Sequence, residues 1–381
     1  LGWVSLLMDL SSELIHALLP LFLVTTLGAS VATVGLIEGI AEATASIVKV
    51  LSGTLSDWLG RRKPLLLLGY GLAALTKPLF PLAGSVALVV AARFTDRVGK
   101  GIREAPRDAL ISDVTPATSR GAAFGLRQSL DTVGAFLGPL LAVGLMLWLA
   151  GDIRSVMWFA VPPAVLAVGL LAVGISETTP TASGERRTVP ISRAELGRLD
   201  ARYWWVVAAG SLFTLARFSD AFLLLRARET GLPLAWTPLV MLALTAAYSA
   251  AAYPAGLLAD RIDRRHILAL GAVFLIVADL VLASPTGTWG VMIGAAIWGL
   301  HMGFTQGLLA ALVSDTAPET LRGTAFGVFN LITGVVLLLS SALAGYLWSE
   351  FGSAATFLAG GAFTGVALLV FAVRPTDAPD S

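Results

Sequence analysis

Residues 112–125 read SDVTPATSRGAAFG, and residues 314–327 read SDTAPETLRGTAFG, an offset of 202 positions. A second pair repeats the relation: GTLSDWLGRR at 53–62 returns as GLLADRIDRR at 256–265, an offset of 203. Two unrelated motifs recurring at nearly one offset mean that half the chain is a copy of the other half. The question is then what each half is made of.

Of the 381 residues 56% are apolar and only 13% charged, with a mean hydropathy of +0.81. Soluble domains carry about 25% charged residues, so this composition belongs to lipid. A helix crossing a bilayer needs about 20 largely apolar residues. On that rule twelve spans are expected, near 2–26, 31–56, 64–83, 85–103, 119–147, 154–175, 202–226, 235–258, 266–284, 287–312, 322–348 and 353–373. Residues 1–27 read as a retained first span, with no basic leader ahead of them. The polar stretch SETTPTASGERRTVPISRAELGRLDA at 176–201 is rich in Ser, Thr, Pro and Arg and reads as a linker. The expected organisation is an all-α polytopic membrane protein with a six-helix bundle over 1–175, a linker over 176–201 and a second bundle over 202–381. Parallel repeats of this kind are built for alternating access.

Loop charge sets the orientation. Arg61, Arg62 and Lys63 follow span 2, Arg103, Arg107 and Arg120 surround the 4–5 loop, and Arg261, Arg264 and Arg265 follow span 8, whereas the loops near 27–31, 82–85 and 284–287 carry no Lys or Arg. The positive-inside rule puts those basic loops, the linker and both termini in the cytoplasm. The net charge of +1 points to no partner, and the absence of cysteine removes disulfides and thiolate metal sites. RVGKGIR at 97–103 follows no strand and lacks the Gly-Lys-Ser/Thr ending, so nucleotide binding is excluded and no cofactor is expected.

Ionisable groups inside spans are costly, at roughly 2.5 to 3.5 kcal/mol each at mid-bilayer, and mark function by default. Span 1 has Asp9, Glu13 and His16; span 2 has Glu38, Glu42 and Lys49; span 4 has Arg93, Asp96, Arg97 and Lys100; span 5 has Arg127 and Asp131. The second half offers Arg217 and Asp220 in span 7 and His301 with Gln306 in span 10. Spacings of three, four and seven put the sets of spans 1, 2 and 4 each on one helical face. Lys100, Arg103, Arg107 and Asp108, near the basic ends, read as interface anchors or loop salt bridges.

These residues carry a resemblance to the major facilitator superfamily. Gly53, Asp57, Gly60, Arg61 and Arg62 resemble its loop 2–3 signature, which implies a latch between the bundles. Gly134, Gly138 and Pro139 resemble the Gly-x-x-x-Gly-Pro core of a motif typical of its exporters, in which small residues four apart let helices approach. In the superfamily spans 3, 6, 9 and 12 face lipid, and here Lys77 and Asp279 are the charged residues in their interiors. DLSSELIHALLPLFL at 9–23, GLIEGIAEATASIVKVLSG at 35–53 and DRVGKGIREAPRDALISD at 96–113 are similar to a bacterial branch holding metal-resistance and iron–citrate exporters. A multi-pass protein of the bacterial inner membrane is expected, surrounded by lipid, monomeric and using no nucleic acid.

The expected function is secondary transport, with no enzyme chemistry, because no nucleophile, base and orienting group cluster together. Carboxylates suit Arg93, Arg97 and Arg127, whose planar guanidinium groups bind in bidentate fashion. A divalent metal suits Asp9, Glu13 and His16, joined by Glu42 and His301. The expected solute is a metal–carboxylate complex such as iron–citrate, or citrate; bare metal and lipophilic drugs are the alternatives. Glu13 and Glu42, with Asp9 and Asp131 behind them, are the expected proton carriers, and sodium coupling stays open. Arg93 is expected to stand free for the ligand, with Glu13 or Glu42 as its partner in the empty state, because Asp96 is engaged by Arg97 or Lys100.

Overall fold

In hydrocarbon each backbone N–H and C=O must be paired within its own segment, which leaves helices as the way to cross. The computed structural model describes residues 1–59, 61–116, 119–175, 196–259, 261–318 and 321–372. Eleven helical segments among them are long and apolar enough to span a membrane: Gly2–Thr26, Val31–Gly53, Lys63–Leu82, Arg120–Trp148, Ile153–Gly174, Ala201–Glu229, Leu234–Ala259, Arg264–Ala283, Gly287–Thr316, Arg322–Phe351 and Ser353–Val370. The remaining crossing helix, Val86–Val114, is too charged to be recognised by hydropathy. It takes fourth place in the chain, and the twelve are called spans 1 to 12 in order. Accumulating charge predicts an end to span 4 at residue 103; the helix continues to Val114 because those charges find partners inside the bundle.

The two ends of the molecule differ. Five glycines with positive φ, Gly28, Gly151, Gly231, Gly287 and Gly352, all lie in connections opposite the basic loops, where they make tight turns that a β-carbon would strain. At the basic end, side chains organise the loops. Asp263 caps span 9 by accepting from the Arg265 amide at 3.0 Å. Arg62 donates to Ser56 Oγ at 2.5 Å and pairs with Asp113 at 3.4 Å, and in the second half Arg264 pairs with Asp315. Each of these clamps joins elements of a single bundle. Arg61 is exposed beside Arg62. Gly60, the Asp57 side chain and most of the expected linker, 176–195, fall outside the described residues.

The bundles meet along spans 2 and 11 through small residues. A β-carbon on Gly39 would lie 2.9 Å from the Leu338 carbonyl, and one on Gly345 would lie 2.9 Å from Ala32 Cα. At the end opposite the basic loops one apolar core draws on both halves, from Leu14, Phe22 and Met146 to Phe222, Trp298 and Trp348. Toward the basic end the apolar clusters separate: Val4, Tyr70 and Leu171 belong to one bundle, Tyr203, Phe213 and Leu308 to the other. Among the described residues, the apolar core shared by both bundles lies at the end opposite the basic loops. Span 7 is broken at mid-length, with helices Ala201–Ala216 and Ala221–Glu229 separated by four residues that include Arg217 and Asp220.

Candidate functional site

Span 4 supplies cations at Arg93, Arg97, Lys100, Arg103 and Arg107, a spacing of three or four that aligns them toward spans 1 and 2. Arg93 Nη2 donates to Glu38 Oε2 at 2.6 Å, and both side chains are at most 2% exposed. His16 leans on the same carboxylate from span 1, its Nε2 4.0 Å from Glu38 Oε2 while its Nδ1 lies 3.5 Å from Glu13. One turn further, Arg97 pairs with Glu42 at 3.2 Å and with Asp96 at 3.4 Å. Asp96 turns toward span 3, where Lys77 Nζ lies 2.8 Å from its Oδ1 and also donates to Ser12 Oγ at 3.0 Å. Toward the basic end Arg103 approaches Asp9 at 3.9 Å and lies over the Tyr70 ring, Lys49 meets Glu104 at 2.9 Å, and Asp131 takes Arg127 at 2.6 Å and Arg107 at 3.8 Å.

Acids and cations alternate through this ladder, so nearly every charge brought into the bilayer is neutralised by a neighbour. What reaches the space between the bundles is a short list. Glu13 and Glu42 are each 30% exposed, and Lys100 is partly exposed, whereas Arg93, Glu38 and Arg97 are shut behind them. Span 5 sets this depth. A β-carbon on Gly134 would lie 3.0 Å from Asp9 Cβ, and one on Gly138 would lie 2.7 Å from Glu13 Cβ, so the Gly-x-x-x-Gly face seats span 1 at the turns that carry its acids.

The other bundle answers with a cavity of about 160 Å³ whose lining includes Phe213, Arg217, His301, Thr305, Gln306 and Thr333. His301 packs nearly parallel to the Phe213 ring and shares a 2.8 Å hydrogen bond between its Nδ1 and the Gly271 carbonyl. Arg217 projects from the break in span 7, and the acids whose fields act on it are Asp220 beside it and Glu42 across the gap. Among the described residues, Arg217 and Lys100 are the intramembrane cations whose side chains make neither a hydrogen bond nor an ion pair.

The geometry gathers Arg217, His301 and Gln306 into one cavity and joins Glu13 to His16, Glu42 to Arg97 and Arg127 to Asp131. Asp220 is not part of the cavity lining. Several expectations are corrected. Arg93 is not free, and its partner is Glu38 in place of Glu13 or Glu42. Asp96 is engaged by Lys77 as well as Arg97. Asp9 points to Arg103, and no three His, Asp or Glu side chains among the described residues converge as a metal group, so Asp9, Glu13 and His16 do not form one. Lys77 and Asp279 do not face lipid; they are 1% and 0% exposed. The role of Glu38 is legible in its spacing, since it shares a face with Glu42 one turn away. Nothing in the sequence signals that Lys100 is unpaired.

The chain resembles known proteins both in sequence and in fold. The sequence profile of the Major Facilitator Superfamily matches residues 1–246 and 222–381. An uncharacterized MFS-type transporter of Methanocaldococcus jannaschii is 31% identical over 94% of this chain and 90% of its own length. The inner membrane transport protein YajR of Escherichia coli is 25% identical over 97% of this chain and 81% of its own. A crystal structure of a bacterial homolog of the human lysosomal transporter Spinster, inward-facing and unoccupied, superposes with a TM-score of 0.76 at 17% identity, covering 97% of this chain and 94% of that one.

Proposed function

The chain belongs to the Major Facilitator Superfamily, and we propose that within it this membrane transporter exports a metal–carboxylate complex such as iron–citrate, or citrate itself, in exchange for protons. The observation that carries the reading is the pair of cations whose side chains make no hydrogen bond or ion pair among the described residues, Lys100 on one bundle and Arg217 on the other, beside the partly exposed acids Glu13 and Glu42. A carboxylate-rich ligand satisfies both cations at once and bridges the bundles. The acids suit the metal end, which brings its own ligands because the protein offers no complete set among the described residues. Metal and proton compete for Glu13 and Glu42, and competition is what exchange in opposite directions requires.

Direction rests on two supports. The Gly-x-x-x-Gly-Pro face resembles that of exporters, and with the basic loops in the cytoplasm the end of the bundles away from their shared apolar core faces the cytoplasm for loading. The inner-membrane relative in Escherichia coli agrees with that location. Lipophilic export is the second reading, favoured by a cavity of about 460 Å³ at the basic end, lined by Leu110, Ile111, Val114, Leu126 and Ile175 with Arg127 at its charged edge.

Labelled citrate, with and without ferric iron, in inside-out vesicles under an imposed proton gradient tests the proposal. Gradient-driven accumulation is expected, and Arg217→Ala or Lys100→Ala should reduce calorimetric binding by about tenfold or more, the range of a lost charge-assisted bond. Absence of citrate flux, with drug-stimulated proton movement in the same vesicles, would transfer the reading to lipophilic export. Glu13→Gln and Glu42→Gln should abolish gradient-driven transport and leave counterflow exchange. Wild-type rates across pH in both variants would assign the proton elsewhere, and a response to sodium in place of protons would change the coupling ion.

A further inference from the structure

Asp279 is fully buried in span 9, and neither of its carboxyl oxygens has a hydrogen-bond partner among the described residues. A carboxylate left bare in an apolar core is among the least stable arrangements a membrane protein can hold, so its surroundings must serve something. They do. A β-carbon placed on Gly360 of span 12 would lie 2.9 Å from Asp279 Oδ2, 3.1 Å from the Ala216 carbonyl oxygen and 3.2 Å from the Phe218 ring. The carboxyl and the carbonyl border one gap, kept open by the absence of a side chain at Gly360.

Ala216 is the last residue of the first helical half of span 7, and no hydrogen bond to its carbonyl occurs among the described residues. The break that follows holds Arg217 and is otherwise fixed from span 11, where Ser340 Oγ donates to the Leu215 carbonyl at 2.7 Å and Ser341 Oγ accepts from the Ser219 amide at 3.3 Å. An acceptor without a donor thus sits beside a carboxyl without a partner, at an interruption in a substrate-facing span. Broken helices in secondary transporters place coupling ions at such carbonyls.

Among the described residues no charged side chain pairs with Asp279. Span 12 carries no titratable residue. Span 10 offers His301, which is occupied by Gly271 two turns away on span 9, and Asp315 at the basic end. Arg217 and Asp220 of span 7 lie in the break, and Arg226 beyond it is spent on the Leu282 and Ser284 carbonyls. Span 8 contributes only Tyr248 and Tyr253.

We propose that Asp279 is a proton-binding site that governs the break in span 7. With the proton on, the carboxyl has the donor that the Ala216 carbonyl lacks, and the break is held. With the proton off, negative charge faces that carbonyl, the contact is repulsive, and span 7 shifts together with Arg217. The bond formed and broken is only O–H, and the proton is exchanged with solvent. A cavity of about 10 Å³ bordered by Phe218, Ser340, Thr356 and Gly360 lies alongside. This second site is independent of Glu13 and Glu42; it rests on the proposed function only in giving Arg217 a ligand to bind.

Purified full-length protein in detergent is the sample for the test, with two readouts that use no transported solute. Hydrogen exchange of the amides of 217–223, corrected for intrinsic pH dependence, is expected to rise several-fold above a transition pH. Asp279→Asn, which keeps a donor, should abolish that dependence and hold exchange at the low level. Infrared difference spectra across the same pH range should show a protonated-carboxyl band that is lost in Asp279→Asn and retained in Glu13→Gln. If Asp279→Asn does not fold, Gly360→Ala, whose methyl crowds Oδ2, should move the wild-type transition pH. Flat exchange in the wild type, a carboxyl band unaffected by Asp279→Asn, or a response to sodium at fixed pH in place of protons would each overturn the proposal. Failure of citrate to bind touches none of these readouts, so the two readings fail separately.

Discussion

Replacing Glu38 by glutamine is expected to destabilise the protein by about 3–5 kcal/mol, the cost of leaving one member of a buried ion pair without its partner. Arg93 and Glu38 are joined at 2.6 Å and at most 2% exposed, so neither can turn to water when the other is lost. Glutamine keeps the shape and one acceptor, and the loss therefore measures charge. Arg93 has no second acid within pairing distance among the described residues, since Asp96 is held by Lys77 and Arg97. The double variant Glu38→Met with Arg93→Met removes both charges and should recover most of the stability, because well-packed apolar replacements of buried pairs are often neutral or better. Denaturant titration in detergent, followed by circular dichroism, separates the outcomes. Equal losses in single and double variants would mean that the pair serves packing and that its charges are balanced by other groups.

The same pair shows where sequence reading works and where it stops. Local periodicity puts Glu38, Glu42, Arg93 and Arg97 on inward stripes, and the repeat at 112–125 and 314–327 implies two bundles; both are read from the sequence alone. Choosing which acid meets which cation depends on the relative height of three helices, and that is fixed by contacts such as Gly134 and Gly138 against span 1. One turn of difference exchanges Glu42 for Glu38 as the partner of Arg93. Span 4 illustrates the limit from the other side: its hydropathy argues against a membrane, and only the acids of spans 1 and 2 and the lysine of span 3 make it a crossing helix. The resemblance to the superfamily predicts lipid-facing positions for Lys77 and Asp279, yet both are inside the bundles, Lys77 with a partner and Asp279 without one among the described residues.

Two glycines of span 5 should respond to the same substitution in opposite ways. A methyl at Gly138 would lie 2.7 Å from Glu13 Cβ and 2.9 Å from the Leu14 amide nitrogen, which is backbone and cannot rotate away. Span 1 must then move off span 5, and overpacking of that kind costs about 1–3 kcal/mol. The functional loss should exceed the loss of stability, because the displaced turn carries Glu13 and, one turn on, His16, and through His16 touches Glu38. Gly144 lies on the same helix, exposed, and a methyl added there would meet nothing within 4 Å. Alanine at that position only removes backbone freedom from the unfolded chain, so Gly144→Ala should be neutral or stabilising by about 0.5–1 kcal/mol. Thermal unfolding and gradient-driven flux measured on both variants give the decision: a Gly138→Ala protein with unchanged flux would mean that the position of span 1 against span 5 does not control the acids, and the coupling role of Glu13 would fall with it.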